Sequence, residues 1–208
     1  LVILELGSNT VLAGPGVDRV NAIAGFYQAQ SAVLPQTVEG GPGDDLVAGG
    51  LAGDRIEGGA GDDVLNGSRG PDLLLGGPGN DRLAGNRGDD SLQGNQGNDV
   101  LYGGLISGFP QRYDGYDLLV GGEGDDRMAG GWQKDRLFGG PGNDRLAGGP
   151  HADHLVGESG IDILLGEQGD DLLLARDARR ELVGGGPGFD RARVDRSDRR
   201  VGVERRIP

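Results

Sequence analysis

The 208-residue sequence predicts an all-β fold: a solenoid of 18-residue coils, each with two short parallel strands and two tight turns. Three observations predict it. Residues 40 to 174 divide without a gap into fifteen nonapeptides, and the first position is Gly in all but one, Arg112. The sixth position is Asp in all but one, Gly108. The eighth is a large apolar residue (Val47, Ile56, Met128 and otherwise Leu), with Pro110 the only break. Low-complexity disorder needs no such phase, and chance does not hold three residue types in register over fifteen copies.

Each element follows from the unit. A nonapeptide is too short for a helix pair or for a hairpin with its own core. Positions one to six, as in GGPGND at 76–81, hold two or three glycines and a final Asp, which suits a tight turn with positive-φ steps. Position five is often Asn or Asp (Asn80, Asn98, Asn143, Asp44, Asp62, Asp89, Asp125, Asp170), the types that best tolerate the left-handed region. Positions seven to nine, as in RLA or VLY, read as a short extended segment with the middle residue pointing inward. Two units then make one coil, and coils stack about 4.8 Å apart. Ten coils from residue 4 to 183 give a solenoid roughly 50 Å long around a double ladder of eighth-position side chains.

The ends keep the phase and lose the chemistry. Residues 13–21 carry Asp18 and Val20 at positions six and eight; Val11, Ala29 and Val38 hold position eight in units without the sixth-position Asp. Residues 1–39 are therefore expected to be degenerate lead-in coils, 40–174 the regular roll, irregular at 103–111, and 175–208 a cap or tail. In 175–183 only Leu182 stays in phase, and beyond it Val194, Val201 and Val203 could extend a strand. The outward Ile163, Leu165, Leu172 and Leu174 form an apolar face for which this tail is the nearest cover.

Composition bounds the function. Forty-five glycines and a formal charge of −13 lean towards disorder until the phase is counted. Without cysteine there is no disulfide framework and no thiolate metal site. The acidic balance disfavours nucleic acid and anionic membranes and favours cations. The segment 175–208 holds ten Arg against six acids, so the chain up to Leu174 carries −17. The opening LVILELGSNT is too short and too soon polar for membrane insertion or a signal peptide, and without an initiator Met the chain reads as a processed or excised piece.

Sixth-position aspartates two units apart stack on one another and form two edges. One carries Asp45, Asp63, Asp81, Asp99, Asp117, Asp135, Asp153 and Asp171; the other carries Asp54, Asp72, Asp90, then Gly108, then Asp126, Asp144 and Asp162. Like charges about 5 Å apart oppose folding. A hard divalent cation between turns reverses the sign, and carboxylates with glycine-turn carbonyls are the oxygen donors Ca²⁺ prefers. Mg²⁺ demands stricter octahedral geometry and keeps its water, so it fits less well.

GGPGDDLVA at 40–48, GGAGDDVLN at 58–66, GGPGNDRLA at 76–84 and GEQGDDLLL at 166–174 match GGxGxDxUx, U being a large aliphatic. On these residues the chain resembles the RTX, or haemolysin-type, calcium-binding repeat proteins over 40–174. The resemblance implies a right-handed parallel β-roll, secreted and folding on Ca²⁺ outside the cell. It also implies a ligand set: the fourteen aspartates above, with turn carbonyls from Gly41, Gly43, Gly59, Gly61, Gly77, Gly79, Gly97, Gly115, Gly124, Gly142 and Gly160.

Departures grade the sites. Position four is Gly except at Ala52, Ile106, Gln133 and His151, where a positive φ would be strained. Asp in both stacked turns leaves eleven candidate spaces. Gly at position four as well leaves seven: 45/63, 63/81, 81/99, 99/117, 72/90, 126/144 and 144/162. Seven Ca²⁺ would take the charge from −13 to +1, since 7 × 2 = 14.

Other features carry less. GGLISGFPQ at 103–111 reads as a surface loop or irregular half-coil. The nearby Tyr113, Tyr116 and Trp132 would share one edge, a candidate sugar platform. HADH at 151–154 holds both histidines and reads as a degenerate turn rather than a transition-metal site. There is no HExxH, GxSxG or P-loop, so no enzyme is expected within this chain. The expectation is a monomeric, secreted calcium-binding roll with a structural or interaction role. The alternatives are a C-terminal calcium-folding appendage of a longer secreted enzyme, toxin or adhesin, and a surface- or carbohydrate-binding module.

Overall fold

The apolar side chain at position eight decides the architecture. In the computed structural model, which describes residues 2–3, 10–12, 14, 16, 19–21, 34–104, 115–203 and 205–206, it points into the interior of a parallel β-solenoid. The described strands form two eleven-stranded sheets: alternate strands in chain order build the first sheet and those between build the second. No helix occurs among the described residues. Val47, Leu65, Leu83, Leu101, Met128, Leu146 and Leu164 line the first sheet, and Ile56, Leu74, Leu92, Leu119, Leu137, Leu155 and Leu173 the second, all at most 3% exposed. One such side chain per unit makes a narrow core, and at about 2 kcal/mol per buried Leu it falls short of the backbone ordering cost.

The strands are longer than positions seven to nine. Most also take in positions one to three of the next unit, as in Arg55–Ala60, Val64–Arg69, Leu73–Pro78 and Arg145–Pro150, and shorten the turn to positions four to six. The first-position glycine is thus a strand residue, required by close approach rather than by φ. A Cβ on Gly58 would overlap Asp63 Oδ2.

Register departs from the regular two-unit spacing at three places. Leu92 pairs with Leu119 and Leu101 with Met128, each three units on instead of two. The unit beginning at Gly103 keeps positions one and two, and the next described turn residue, Gly115, takes position four. Consistent with this, a Cβ on Gly103 would overlap Asp117 Oδ2, as Gly58 does with Asp63. A full unit's length is inserted, and the two edges expected from the sequence exchange partners beyond it. A similar jump joins Val20 to Val47 and Val11 to Val38. Ala29, Asp18, Phe109 and Tyr113 lie outside the described residues.

The third departure is a slip of one. Ile163 pairs with Leu182 and Leu164 with Val183, so Val183 is fully buried and Leu182, expected inward, faces out. The following segment, 185–193, then reads GGPGFDRAR, a repeat with a complete turn and Ala192 at position eight, one step out of phase. The tail extends the sheets instead of covering the outward Ile163, Leu165, Leu172 and Leu174. Arg191–Val194 pairs with Leu172–Ala175, and Arg199–Val201 with Leu182–Gly184. Val194 is buried and Val203 packs on the core, while Val201 is exposed.

Candidate metal centre

Position six sits two places before position eight on the same strand face, so its side chain turns inward. Every sixth-position Asp from Asp45 to Asp171 is at most 3% exposed. The true stacking is Asp45, Asp63, Asp81, Asp99, Asp126, Asp144, Asp162 in one column and Asp54, Asp72, Asp90, Asp117, Asp135, Asp153, Asp171, Asp190 in the other. The sequence-based 99/117 pair is not formed; Asp99 meets Asp126 and Asp90 meets Asp117.

Each link is the same. The main-chain N–H of one Asp donates to Oδ1 of the Asp one coil on, at 2.7 Å from Asp45 to Asp63 and 2.9 Å from Asp144 to Asp162. That leaves the second oxygen. Oδ2 of Asp63, Asp72, Asp81, Asp99, Asp126, Asp144, Asp153, Asp162 and Asp171 is buried without a donor. A buried carboxylate oxygen with no donor or cation is costly. Burial accordingly pushes Asp72 and Asp153 up to about 8, with neighbouring aspartates adding to the rise. It pushes Asp81, Asp126 and Asp144 to about 7, and Asp63, Asp99 and Asp171 to about 6.

Main-chain oxygens face the same spaces. A Cβ on Gly59 would overlap Gly41 O and one on Gly79 would overlap Gly61 O, so carbonyls at positions two and four aim at the next turn. Gly59 and Gly79 hold φ of 117° and 150°, values that side-chain-bearing residues rarely adopt. Among the described residues no three His, Asp or Glu side chains gather as a ready metal cluster. Each space is instead bounded by two aspartates and by glycine carbonyls, a hard oxygen set of the kind that fills the six to eight ligand places of Ca²⁺.

The two columns differ in quality. Along the Asp45 column position four is always Gly, and a second ladder runs outside it. Oδ1 of Asp44, Asp62, Asn80, Asn98, Asp125 and Asn143 each accepts the N–H of the fifth-position residue one coil on. The Asp54 column keeps every aspartate link, but its turns are not uniform. Gln133 and His151 hold φ of 84° and 90° at position four, the strain expected of non-glycine there. The His151 ring lies 5.7 Å from Trp132, and Asp54 Oδ2 is already taken by Gly50 N–H at 2.6 Å. His154 packs against Phe138 instead, so the two histidines of HADH do not share a site. Tyr116 and Trp132 lie one coil apart in this column, Tyr116 59% exposed.

Sequence reasoning missed two acids. Asp190, fully buried, extends the Asp54 column, and its GGPGFD signal is legible once a slip of one is allowed. Glu181, 2% exposed, takes position six after Asp162. Burial, then Asp198 and Asp177, push Glu181 up to about 8. Burial opposes the ionised form of Asp177 too, but the N–H groups of Gly160 and Arg179 hold it below the usual range.

A family model described as the RTX calcium-binding nonapeptide repeat matches four times, at residues 39–74, 75–105, 113–146 and 147–177. No curated protein matches the chain. The third match begins within the insertion, so the repeat resumes beyond it with its sequence pattern intact. The matches cover well over half of the chain, and with the stacked aspartate turns they place it: the protein belongs to the RTX calcium-binding nonapeptide-repeat family.

Proposed function

We propose that this chain is a secreted calcium-loaded β-roll in which the ions sit between successive turns and drive folding. The observation that carries the reading is the pair of buried aspartate columns, in which the Oδ2 atoms of Asp63, Asp81, Asp126 and the others named above find no donor within the protein. Position-six carboxylates and the carbonyls of the turn glycines are the proposed ligands. The best spaces have Asp in both turns and Gly at position four in both: 45/63, 63/81, 81/99, 99/126, 126/144, 144/162, 72/90, 90/117 and 171/190. Filling these nine would take the formal charge from −13 to +5, since 9 × 2 = 18. Neutralisation on that scale turns an expanded chain into a rolled one.

The role is structural or interactive and lies outside catalysis. Far-UV circular dichroism in EDTA, titrated with Ca²⁺ and in parallel with Mg²⁺, tests it. A cooperative coil-to-β transition with Ca²⁺ and little response to Mg²⁺ is the expected outcome. A chain already rolled in EDTA at neutral pH would sink the proposal.

A further inference from the structure

We propose that the outer face of the first sheet docks a linear anionic polysaccharide lying along the solenoid axis. The two sheets carry different charge. At the outward positions seven and nine the described strands of the first sheet carry Arg19, Arg82, Arg127, Arg145 and Arg199 and no acid, whereas those of the second carry Glu39 and Glu57 among their arginines. In a chain of net charge −13, one face is thus almost purely cationic. Arg82, Arg127 and Arg145 on this face are exposed, and none of them joins the ion pairs Arg55–Glu57, Arg176–Asp195 and Arg179–Asp177 seen among the described residues.

Shape goes with the charge. At position seven Arg82, Val100, Arg127 and Arg145 occupy four successive rungs, in register. At position nine of the same rungs stand Ala84, Tyr102, Ala129 and Ala147. An arginine ridge therefore flanks a shallow floor of small residues with one half-buried aromatic ring in it. Rungs repeat about every 4.8 Å, close to the length of one sugar in an extended pyranose chain, so acidic sugars keep step with the rungs and meet guanidinium groups at the first, third and fourth of them. Guanidinium forks pair with carboxylate or sulfate bidentately. Tyr102 offers a face to one pyranose ring. The phosphates of one DNA strand in a duplex, one per about 3.4 Å of helix axis, wind around that axis and do not follow a straight row of rungs. A membrane would need apolar side chains to insert where this floor has Ala.

The proposal rests on the calcium-loaded reading to this extent: with the aspartate columns neutralised, the basic face is no longer opposed by the body of the molecule. The test uses the full chain in millimolar Ca²⁺ at low ionic strength, with hexagalacturonate as probe and a neutral glucose hexamer as control, by isothermal titration calorimetry. Expected is salt-sensitive binding of the acidic hexamer alone. Arg127→Glu with Arg145→Glu should weaken it about tenfold or more, while Arg136→Glu on the second sheet leaves it unchanged. Should the double glutamate variant fail to roll, Arg127→Gln with Arg145→Gln replaces it. No binding by a rolled chain overturns the proposal. So does equal loss with Arg136→Glu, or binding that survives both double variants, which would mean calcium bridging to surface acids. Equal affinity for duplex DNA or anionic vesicles, lost with the same variants, overturns the assignment to polysaccharide. Circular dichroism on the same samples separates the two readings, because a chain that does not roll in Ca²⁺ overturns the calcium reading and the docking face with it.

Discussion

Without calcium, this roll should be more stable in acid than at neutral pH. The perturbation is pH in the presence of EDTA. Aspartate in the unfolded chain titrates near 3.8, whereas folding raises Asp63, Asp99 and Asp171 to about 6, Asp81, Asp126 and Asp144 to about 7, and Asp72 and Asp153 to about 8. The folded state then holds more protons than the unfolded one throughout the window between about 4 and 8. Stability is fully present below the unfolded value and is lost as pH rises through the folded values. At about 1.4 kcal/mol per pH unit, a carboxyl raised to about 7 costs the ionised, metal-free roll about 4 kcal/mol. Two or three such groups already match the roughly 5–15 kcal/mol net stability of an ordinary domain. Far-UV circular dichroism from pH 8 down to pH 4 in EDTA should therefore show β structure appearing on acidification. With saturating Ca²⁺ the trend reverses, because protons displace the ion. A metal-free chain equally rolled at pH 8 and pH 4, or unrolled at both, would refute the assignment of the aspartate columns as the dominant opposing term.

Four further outcomes follow from the geometry. Asp81→Asn removes a charge from the unbroken Asp45 column and should raise the Ca²⁺ midpoint for folding more than Asp153→Asn, which lies beside the strained His151 turn; parallel Ca²⁺ titrations read the difference. Gly58→Ala forces a Cβ onto Asp63 Oδ2 and Gly76→Ala does the same to Asp81. Each should destabilise the loaded roll by about 1–3 kcal/mol in urea unfolding, although neither glycine has a positive φ. Leu119→Ala opens the ladder where Leu92 and Leu137 stack and should cost about 2–5 kcal/mol in the same assay. Deleting 105–113 leaves only Asp114 between Gly104 and Gly115 and restores a coil of two regular units. The shortened chain should roll at an unchanged Ca²⁺ midpoint, and a large increase would show that the segment supports the stack.

The repeat made most of the fold legible because its three key positions each have one physical task. Leu at position eight can only face in, Asp at position six recurs in the same place on every coil, and glycine marks the turn. What the phase alone could not show was where the pairing interval grows from two units to three. GGLISGFPQ has the length of a unit, so the count ran through it and joined Asp99 to Asp117. The structure shows instead that the stacking partner is chosen by strand pairing, Leu101 with Met128, and not by sequence interval. The strand length was missed for a related reason. Glycines at positions one and two look like turn residues from composition, but the first is there because a carboxylate oxygen occupies the volume of its Cβ. At the C-terminus one extra residue before Glu181 hid a full repeat, and with it Asp190.

The insertions obey a rule that explains the quality of the columns. Adding one unit's length within a coil keeps every later strand on a strand position but exchanges which units share a column. Before the insertion the units with the best turns, such as GGPGDD and GGPGND, alternate with weaker ones and end at Asp45, Asp63, Asp81 and Asp99. Beyond it the units GGEGDD and GGPGND end at Asp126 and Asp144, which an uninterrupted two-unit count would put on the opposite edge. The insertion brings them back under Asp99, so the Asp45 column has glycine at every fourth position and Asx at nearly every fifth. The degenerate turns at Gln133 and His151 fall together in the other column. A stack of cation sites is only as continuous as its weakest turn, since each Asp is shared by the spaces on either side of it. Keeping the departures on one side leaves the other with seven successive turns that all have Asp at position six and Gly at position four.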